Sequence, residues 1–568
     1  MPTTSTLLSC LLIPILALGI ARTYALVANY LQARKLRIPI IVTPVSSQDA
    51  FWIIIQPHLT RFRNVPGLRT AVTFGYHSWA QNERHRPHQK YGNVFAIVSP
   101  KRTEIVVNDP VVAVEVQSHY KTWLKPGPLY EIFDTFGPNV ISLNGEDWQR
   151  HRRIVNPAFR EQNNKLVWNE SLRQARQMIR VATERPGAHQ TMLDVRNDCV
   201  LIAMHVLSAA GFGHVHDFDG GFREIPEGHS TSLAEALKFL LQNIIFAVLF
   251  KELAVLRWIF PALYRQIRDM TEEFRQYMKE VIAYNRAITL GGGTSYSADI
   301  VSALVEADEA AKADQKSAAS AIGITAKPMH LTDAELLGDL YVFNLAGFET
   351  TANALTYTIP FLAINRDVQD WAGQEIDAVL KGRDMERLSY EDVFPSLVRC
   401  LALMYETLRL WGPVPNTERW CVGESTTLRV GDKELLVPPE TFVSLNLYAV
   451  HCDPQWWGKD ALEWKPQRWI KVDPKTGKEA IALPHPGATF IPWSVGPRVC
   501  PGKKFSQLEF VAVIAALLKD YRLKPLALDG KTKEQASSAL LDVVEDSMNI
   551  ITPKMRRPED AGVVFVRK

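Results

Sequence analysis

Apolar side chains recur three and four residues apart from about residue 110 to residue 420, the period of helices that bury one face. The period changes in two regions. Residues 93–98 and 104–107 are β-rich runs joined by Ser99, Pro100, Lys101 and Arg102, which predicts a hairpin. Beyond residue 420, short β-runs alternate with turns, as at residues 427–430 and 434–437 on either side of Gly431, Asp432 and Lys433. Together these patterns predict a large helical domain with small sheets appended, a mainly α chain of α+β class.

Several helix boundaries are written into the chain. Asp109 before Pro110 gives an N-cap followed by proline at the first helical position. Thr332 and Glu335 form a capping box, and the helix it starts can run to about Ala363, with Pro360 near its end. Thirty residues at ~1.5 Å each would cross a whole domain. Residues 503–518 also have helical spacing, with Phe505, Leu508, Glu509, Val511, Ile514 and Leu517 in the pattern. Residues 305–331, rich in Ala, Lys, Asp and Ser, predict a surface connection that is partly disordered.

Residues 7–28 are apolar apart from small polar residues and Arg22, long enough to span a bilayer. Arg34, Lys35 and Arg37 follow, and the first six residues carry no charged side chain. The positive-inside rule then predicts a single-pass anchor over residues 1–30 in the endoplasmic reticulum membrane, with the rest of the chain in the cytosol. A cleaved signal peptide is the rival, and the lack of an early basic region argues against it. Residues 31–90, with Pro39, Pro44 and Pro57, read as a hinge beside the membrane, and residues 51–55 as a contact with membrane lipid.

Composition adds bounds. Of 568 residues, 47% are hydrophobic, enough for a large core, and the formal net charge of +3 gives no nucleic-acid signal. The six cysteines lack CxxC spacing, which points to a reducing compartment. His77, His85 and His88 lack ligand spacing and read as solvated surface.

The chemistry concentrates around Cys500. It lies between Gly496 and Gly502, two residues after Arg498 and just before a helical run. A cysteine ligates metal as the thiolate, so its pKa must be lowered. The dipole and free N–H groups of the following helix favour negative charge there. Glycines let backbone pass close to a flat ligand, and Arg498 offers charge to an anionic group beside the sulfur.

With Trp493, these residues closely resemble the haem-binding loop of the cytochrome P450 superfamily, the haem-thiolate monooxygenases. The family pattern is an aromatic, two residues, Gly, any, Arg, any, Cys, any, Gly. Trp493 replaces the usual Phe, a departure that bears on packing and reduction potential rather than on ligation. The resemblance implies a catalytic domain over residues 91–568 with haem b, Cys500 as axial iron ligand, O2 as oxidant and NADPH as the indirect electron source.

Further motifs agree with it. Ala346, Gly347, Phe348, Glu349, Thr350 and Thr351 sit mid-helix. Gly347 costs about 1 kcal/mol there against alanine, which suggests close approach by something flat. The Thr350 hydroxyl can bond the Ala346 carbonyl and open a polar notch. Phe343, Gly347, Thr350 and Ala354 share the face expected toward the haem. This resembles the family's oxygen-activation motif, in which Thr350 would hydrogen-bond dioxygen and its waters and Glu349 would link those waters to bulk protons. Glu406 and Arg409 share a helix face among apolar neighbours, and Pro466, Gln467, Arg468 and Trp469 look like the family's meander motif. All three charged residues are expected to be structural, holding the Cys500 loop. Trp148 and Arg152, four apart, look like the family's propionate-binding pair, and Arg419 and Arg498 align with further propionate contacts.

Arg150, Arg153, Lys503 and Lys504 would form a basic face for an acidic donor. The resemblance implies NADPH–cytochrome P450 reductase, with cytochrome b5 as a second candidate. Residues 239–250 read as an interfacial or access-channel helix. Residues 129–140, 414–416 and 547–550 occupy positions that line the pocket in relatives, which implies a lipophilic substrate. The phrasing resembles filamentous-fungal members, many of which act in secondary metabolism. Two alternatives stand beside a monooxygenase: a haem-thiolate isomerase or dehydratase acting on a peroxide without a reductase, and a non-catalytic haem sensor or carrier. Neither needs Glu349 and Thr350.

Overall fold

The computed structural model describes the backbone of all residues except 1–3, 60–61, 63–64, 185–190, 193, 221–224, 292–298, 323–328, 485–488, 528–530 and 550–551. The chain forms two compact units. The first comprises Met1–Pro126, Val414–Ala461 and His485–Arg498; the second comprises Gly127–Pro413, Leu462–Pro484 and Val499–Lys568.

The first unit is built on a five-stranded sheet. The expected hairpin forms its centre, with Val94–Val98 antiparallel to Thr103–Val107. Phe442–Asn446 joins parallel to the second hairpin strand, and Asn416–Arg419 pairs antiparallel with it. Ile40–Val42 adds to the other edge, parallel to Val94–Val98. Side chains alternate between two buried faces. Val94, Ala96, Val98, Ile105 and Val107 pack with Leu428, Leu435 and Val437 of a second hairpin, Thr426–Val430 with Lys433–Val437. Phe95, Ile97 and Val106 face Phe74 and Trp79 instead. Residues 31–90 are therefore not the expected hinge. They supply an edge strand and part of the core, because Ile41, Phe74 and Trp79 need cover that a linker would not give. Residues 51–55 lie in the helix Ala50–Leu59, where the Trp52 indole donates to the Gly75 carbonyl at 2.6 Å.

His85 and His88 are likewise buried rather than solvated. His88 packs on Phe95 with ring centres 5.0 Å apart, and burial pushes its pKa down to about 4. Asp109 caps the helix Pro110–Ser118 as expected, accepting from the amides of Val111 and Val112. The helix α1, Thr4–Arg34, has 31 residues and exposes Leu16, Leu18, Ile20, Val27 and Leu31. Among the described residues no single helix is long and apolar enough to cross a membrane.

The second unit is mainly helical. Those that build the site are α2 (Gly145–Val155), α3 (Val195–Phe212), α4 (Asp333–Ile364), α5 (Val398–Trp411) and α6 (Lys503–Asp520). The Thr332–Glu335 capping box starts α4, which runs 32 residues, about 48 Å, with Pro360 inside it. It packs against α3, α5 and α6. Residues 305–322 belong to the helix Ile300–Ile322 rather than to a disordered connection. Alanine and lysine favour helix, and Val301, Leu304 and Val305 are buried; residues 323–328 lie outside the described residues. Residues 239–250 do not form one helix. The chain bends by 60° between Leu233–Gln242 and Ile244–Glu252, where the Asn243 amide caps back onto the Phe239 carbonyl at 2.9 Å. Small antiparallel ribbons complete this unit, including Tyr521–Pro525 with Val563–Arg567.

Candidate active site

In the second unit, Cys500 lies three residues before α6, and Gly502 is the N-cap position of that helix. The thiol keeps free surface, although it sits deep enough for burial to push its pKa up. The Gly502 amide, Arg152 and Lys503 pull the pKa the other way, as helix N-terminus and cations should, and do not win. Desolvation dominates, and a bound metal would have to complete the deprotonation. A Cβ on Gly502 would meet Phe159 and the Cys500 sulfur at 3.8 and 3.9 Å, ordinary contact distances. Arg152 on α2 donates to the Val499 carbonyl at 2.7 Å, and burial lowers its pKa while Cys500 raises it. Trp148, one turn earlier, is buried. Between them, His151 is fully buried, its Nδ1 2.7 Å from Asp339 of α4. Burial lowers the His151 pKa, but the bond to and charge of Asp339 outweigh it and the net shift is upward. Arg150 is not part of a free basic face. It forks onto Glu335 at 2.6 and 3.0 Å, fastening α2 to the start of α4.

Helix α4 is buried almost throughout, but Ala346, Gly347 and Thr350 keep free surface in its middle. The Thr350 hydroxyl donates to the Ala346 carbonyl at 2.8 Å, the bond that the spacing predicts. Glu349 is buried, 3.4 Å from Lys554 and 3.9 Å from Arg196, both of which are partly exposed. Gly347 also makes room for α3: a Cβ there would meet the Leu207 methyls at 3.1 and 3.2 Å. Phe343 lies on the same stretch of α4 and meets Phe159 edge-on at 5.6 Å.

Glu406, Arg409 and Arg468 come together. Arg409 forks onto Glu406 at 2.8 and 2.9 Å, and Arg468 reaches the same carboxylate at 3.0 Å. The Trp469 indole and the Lys465 amide add bonds of 2.9 and 2.8 Å. Glu406 and Arg409 are fully buried, and this number of bonds is what offsets the desolvation of such a pair.

In the first unit, the loop before Cys500 is tied down by its own partners. Gln117 accepts from the Val495 amide at 3.1 Å, and His451 Nε2 accepts from the Ile491 amide at 3.1 Å. Gly496 has φ +69°, and a Cβ would meet Ser118 Cα at 3.0 Å, so glycine is required there. Trp493 packs edge-on with Phe490 at 6.3 Å. Arg419 is buried, donates from Nη1 to the Glu418 carbonyl at 2.8 Å, and leaves Nε without a hydrogen-bond partner among the described residues. Arg419 and Arg498 lie near Lys125, where burial and both arginines push the lysine pKa far down. Lys125 carried no signal in the sequence. Only the fold shows it sharing an interior with two other cations.

Each unit by itself carries donors of the kind haem needs. The second has a thiol with free surface and a polar gap in a buried helix; the first has a cationic cluster with an unbonded guanidinium N–H that suits carboxylate groups.

A family model described as cytochrome P450 matches residues 65–548. The chain is 30% identical to a cytochrome P450 monooxygenase of Penicillium roqueforti over 520 residues, covering 87% of each chain. It is 27% identical to one of Arthrobotrys oligospora over 565 residues, covering 93% of each. A monooxygenase of a phomenoic acid biosynthesis cluster in Leptosphaeria maculans is 27% identical over 563 residues, with 91% of this chain and 92% of the relative covered. A crystal structure of a cytochrome P450 superposes with a TM-score of 0.65 at 20% identity, over 86% of this chain and 98% of the other.

Proposed function

Because the chain belongs to the cytochrome P450 family, as a haem-dependent monooxygenase using O2 and reductase-supplied NADPH electrons, we propose that it inserts one oxygen atom into a lipophilic organic substrate by hydroxylation or epoxidation. Cys500 would hold the iron, and a haem bound through a cysteine thiolate would supply the oxygen-activating chemistry for which the family is the standard example. Lys125, Arg419 and Arg498 of the first unit would serve as donors for haem carboxylates, as would Trp148 and Arg152 of the second. Thr350 presents its hydroxyl oxygen in the gap of α4 and orients water there. Glu349, held by Lys554 and Arg196, passes protons inward from the solvent that reaches those partly exposed side chains. The observation that carries this reading is the surface left free on Ala346, Gly347 and Thr350 within a helix otherwise buried. The same residues speak against a peroxide isomerase, which consumes no protons from solvent.

The relative in a phomenoic acid cluster supports a place in fungal secondary metabolism. The exposed apolar side chains of α1 support a single-pass anchor in the endoplasmic reticulum, with the catalytic part in the cytosol. A second apolar surface is not at residues 239–250, where Leu240, Ile244, Leu249 and Phe250 are buried, but at Val255, Trp258, Ile259 and Phe260. Trp258 is 87% exposed, and this patch suits a lipid surface. Arg153, Lys503 and Lys504 remain exposed for an acidic reductase. Incubation with reductase, NADPH and isotopically labelled O2 tests the reaction on substrates chosen by their shift of the haem spin state. One labelled atom in the product is expected, and label drawn only from water would overturn the proposal.

A further inference from the structure

Glu509 stands in the apolar pattern of α6, and the mechanism leaves it unused. Its side chain is fully buried, and neither carboxyl oxygen has a hydrogen-bond partner among the described residues. Thr351 on α4 is buried too, and its Oγ1 is in the same position. The two face each other. Thr351 is the hydrogen-bonding group that acts on Glu509, and no described cation does. Cys199 of α3 is also fully buried, which pushes its pKa up, and Glu509 adds to that push. A bare carboxylate in such a place costs several kcal/mol, so the group stays protonated. Burial pushes its pKa well above the usual range in agreement. A neutral acid carries one O–H donor, and leaving it unmade costs about 1–3 kcal/mol.

We propose that Glu509 is a positioning residue for oxygen activation, a neutral acid that donates a hydrogen bond to Thr351, directly or through one buried water, and so fixes the rotation of α4 against the helix that follows the Cys500 loop. The placement gives the bond leverage. Thr351 is one turn from Gly347 on the same face and adjacent to Thr350. A rotation of α4 about its axis would swing the Thr350 hydroxyl away from its place in the gap, and the Glu509 bond resists that rotation from the neighbouring flank of the helix. This rests on the monooxygenase reading, and the reduced-CO spectrum tests that reading separately in every variant.

The experiment compares the holoenzyme with Glu509→Gln, Glu509→Leu and Thr351→Val. Infrared spectra at neutral pH should show the carbonyl stretch of a protonated carboxyl that both Glu509 variants lose. Its absence from the unaltered protein would overturn the proposal. Peroxide released per NADPH should rise about fivefold in Glu509→Leu and in Thr351→Val, the worth of one hydrogen bond, with the reduced-CO band kept. Glu509→Gln keeps a donor and should stay within about twofold. The double variant Glu509→Leu/Thr351→Val should leak no more than either single one. Unchanged leakage in Thr351→Val, or Glu509→Gln as leaky as Thr351→Val, would overturn it. Should Glu509→Leu fail to fold, the Gln and Val variants still decide.

Discussion

At the scale of single residues, the chemistry narrows to a sulfur and a hydroxyl. Cys500→Ala should abolish the reduced-CO absorbance band typical of the family, because no thiolate is then left to hold the iron; an unchanged band would mean another ligand. Thr350→Ala removes the hydroxyl bonded to Ala346. NADPH oxidation should continue while product falls by 10²-fold or so, the usual weight of a positioned proton-transfer group, and peroxide rises; unchanged product per NADPH would remove Thr350 from the relay. His88 gives a pH effect. The unfolded chain takes up its proton near 6.5 and the folded chain only near about 4, because burial disfavours the cation. The folded pKa is the lower one, so stability falls as pH drops through that window and levels off below it. Urea unfolding at both ends should show about 3 kcal/mol lost in the unaltered protein beyond that lost in His88→Phe. Equal losses would refute the assignment. Cys500, Glu349 and Thr350 were legible in the chain because motif and spacing carry them. Lys125 and Glu509 were not, since one cation or carboxyl among many says nothing until the fold shows what surrounds it.

Elements bring those residues to bear. The capping box of α4 and the Asp109 cap were readable because a cap is a local exchange of hydrogen bonds between residues three apart. Gly347 was readable as an exception, but the room it makes for α3 was not, because Leu207 comes from another helix, 140 positions earlier in the chain. The Glu406 cluster joins α5 to the meander. Glu406→Ala would leave two guanidinium groups facing an apolar pocket, a loss of about 3–5 kcal/mol. Chemical unfolding should register it, together with reduced haem incorporation. A variant as stable as the parent would show that Arg409 and Arg468 find other partners. The helix Ile300–Ile322 was misread because alanine-rich composition without a large apolar stripe resembles a linker, although three small buried contacts suffice to dock it.

At the scale of the molecule, the mainly helical body with small sheets was legible from periodicity, whereas its division into two units assembled from interleaved segments was not. Periodicity reports local burial and is blind to which distant segment provides the cover. Removal of residues 1–34 should release most of the protein from microsomal membranes. Trp258→Glu in that truncated form should release the remainder, and full retention of the double variant in sedimentation would discard both surfaces as membrane contacts.

The sheet of the first unit has a bearing on how the chain is made. Thr103–Val107 gains its parallel neighbour Phe442–Asn446 only after on the order of 300 further residues have been synthesised. At ribosomal speed, the hairpin's inner edge therefore waits tens of seconds with its amides and carbonyls bare. A strand of Ile, Val and Thr left open that long is an invitation to pair with the wrong chain. Yield of this enzyme in a foreign host should thus depend on translation rate and on chaperones that shield edges, more than on the stability of the finished protein.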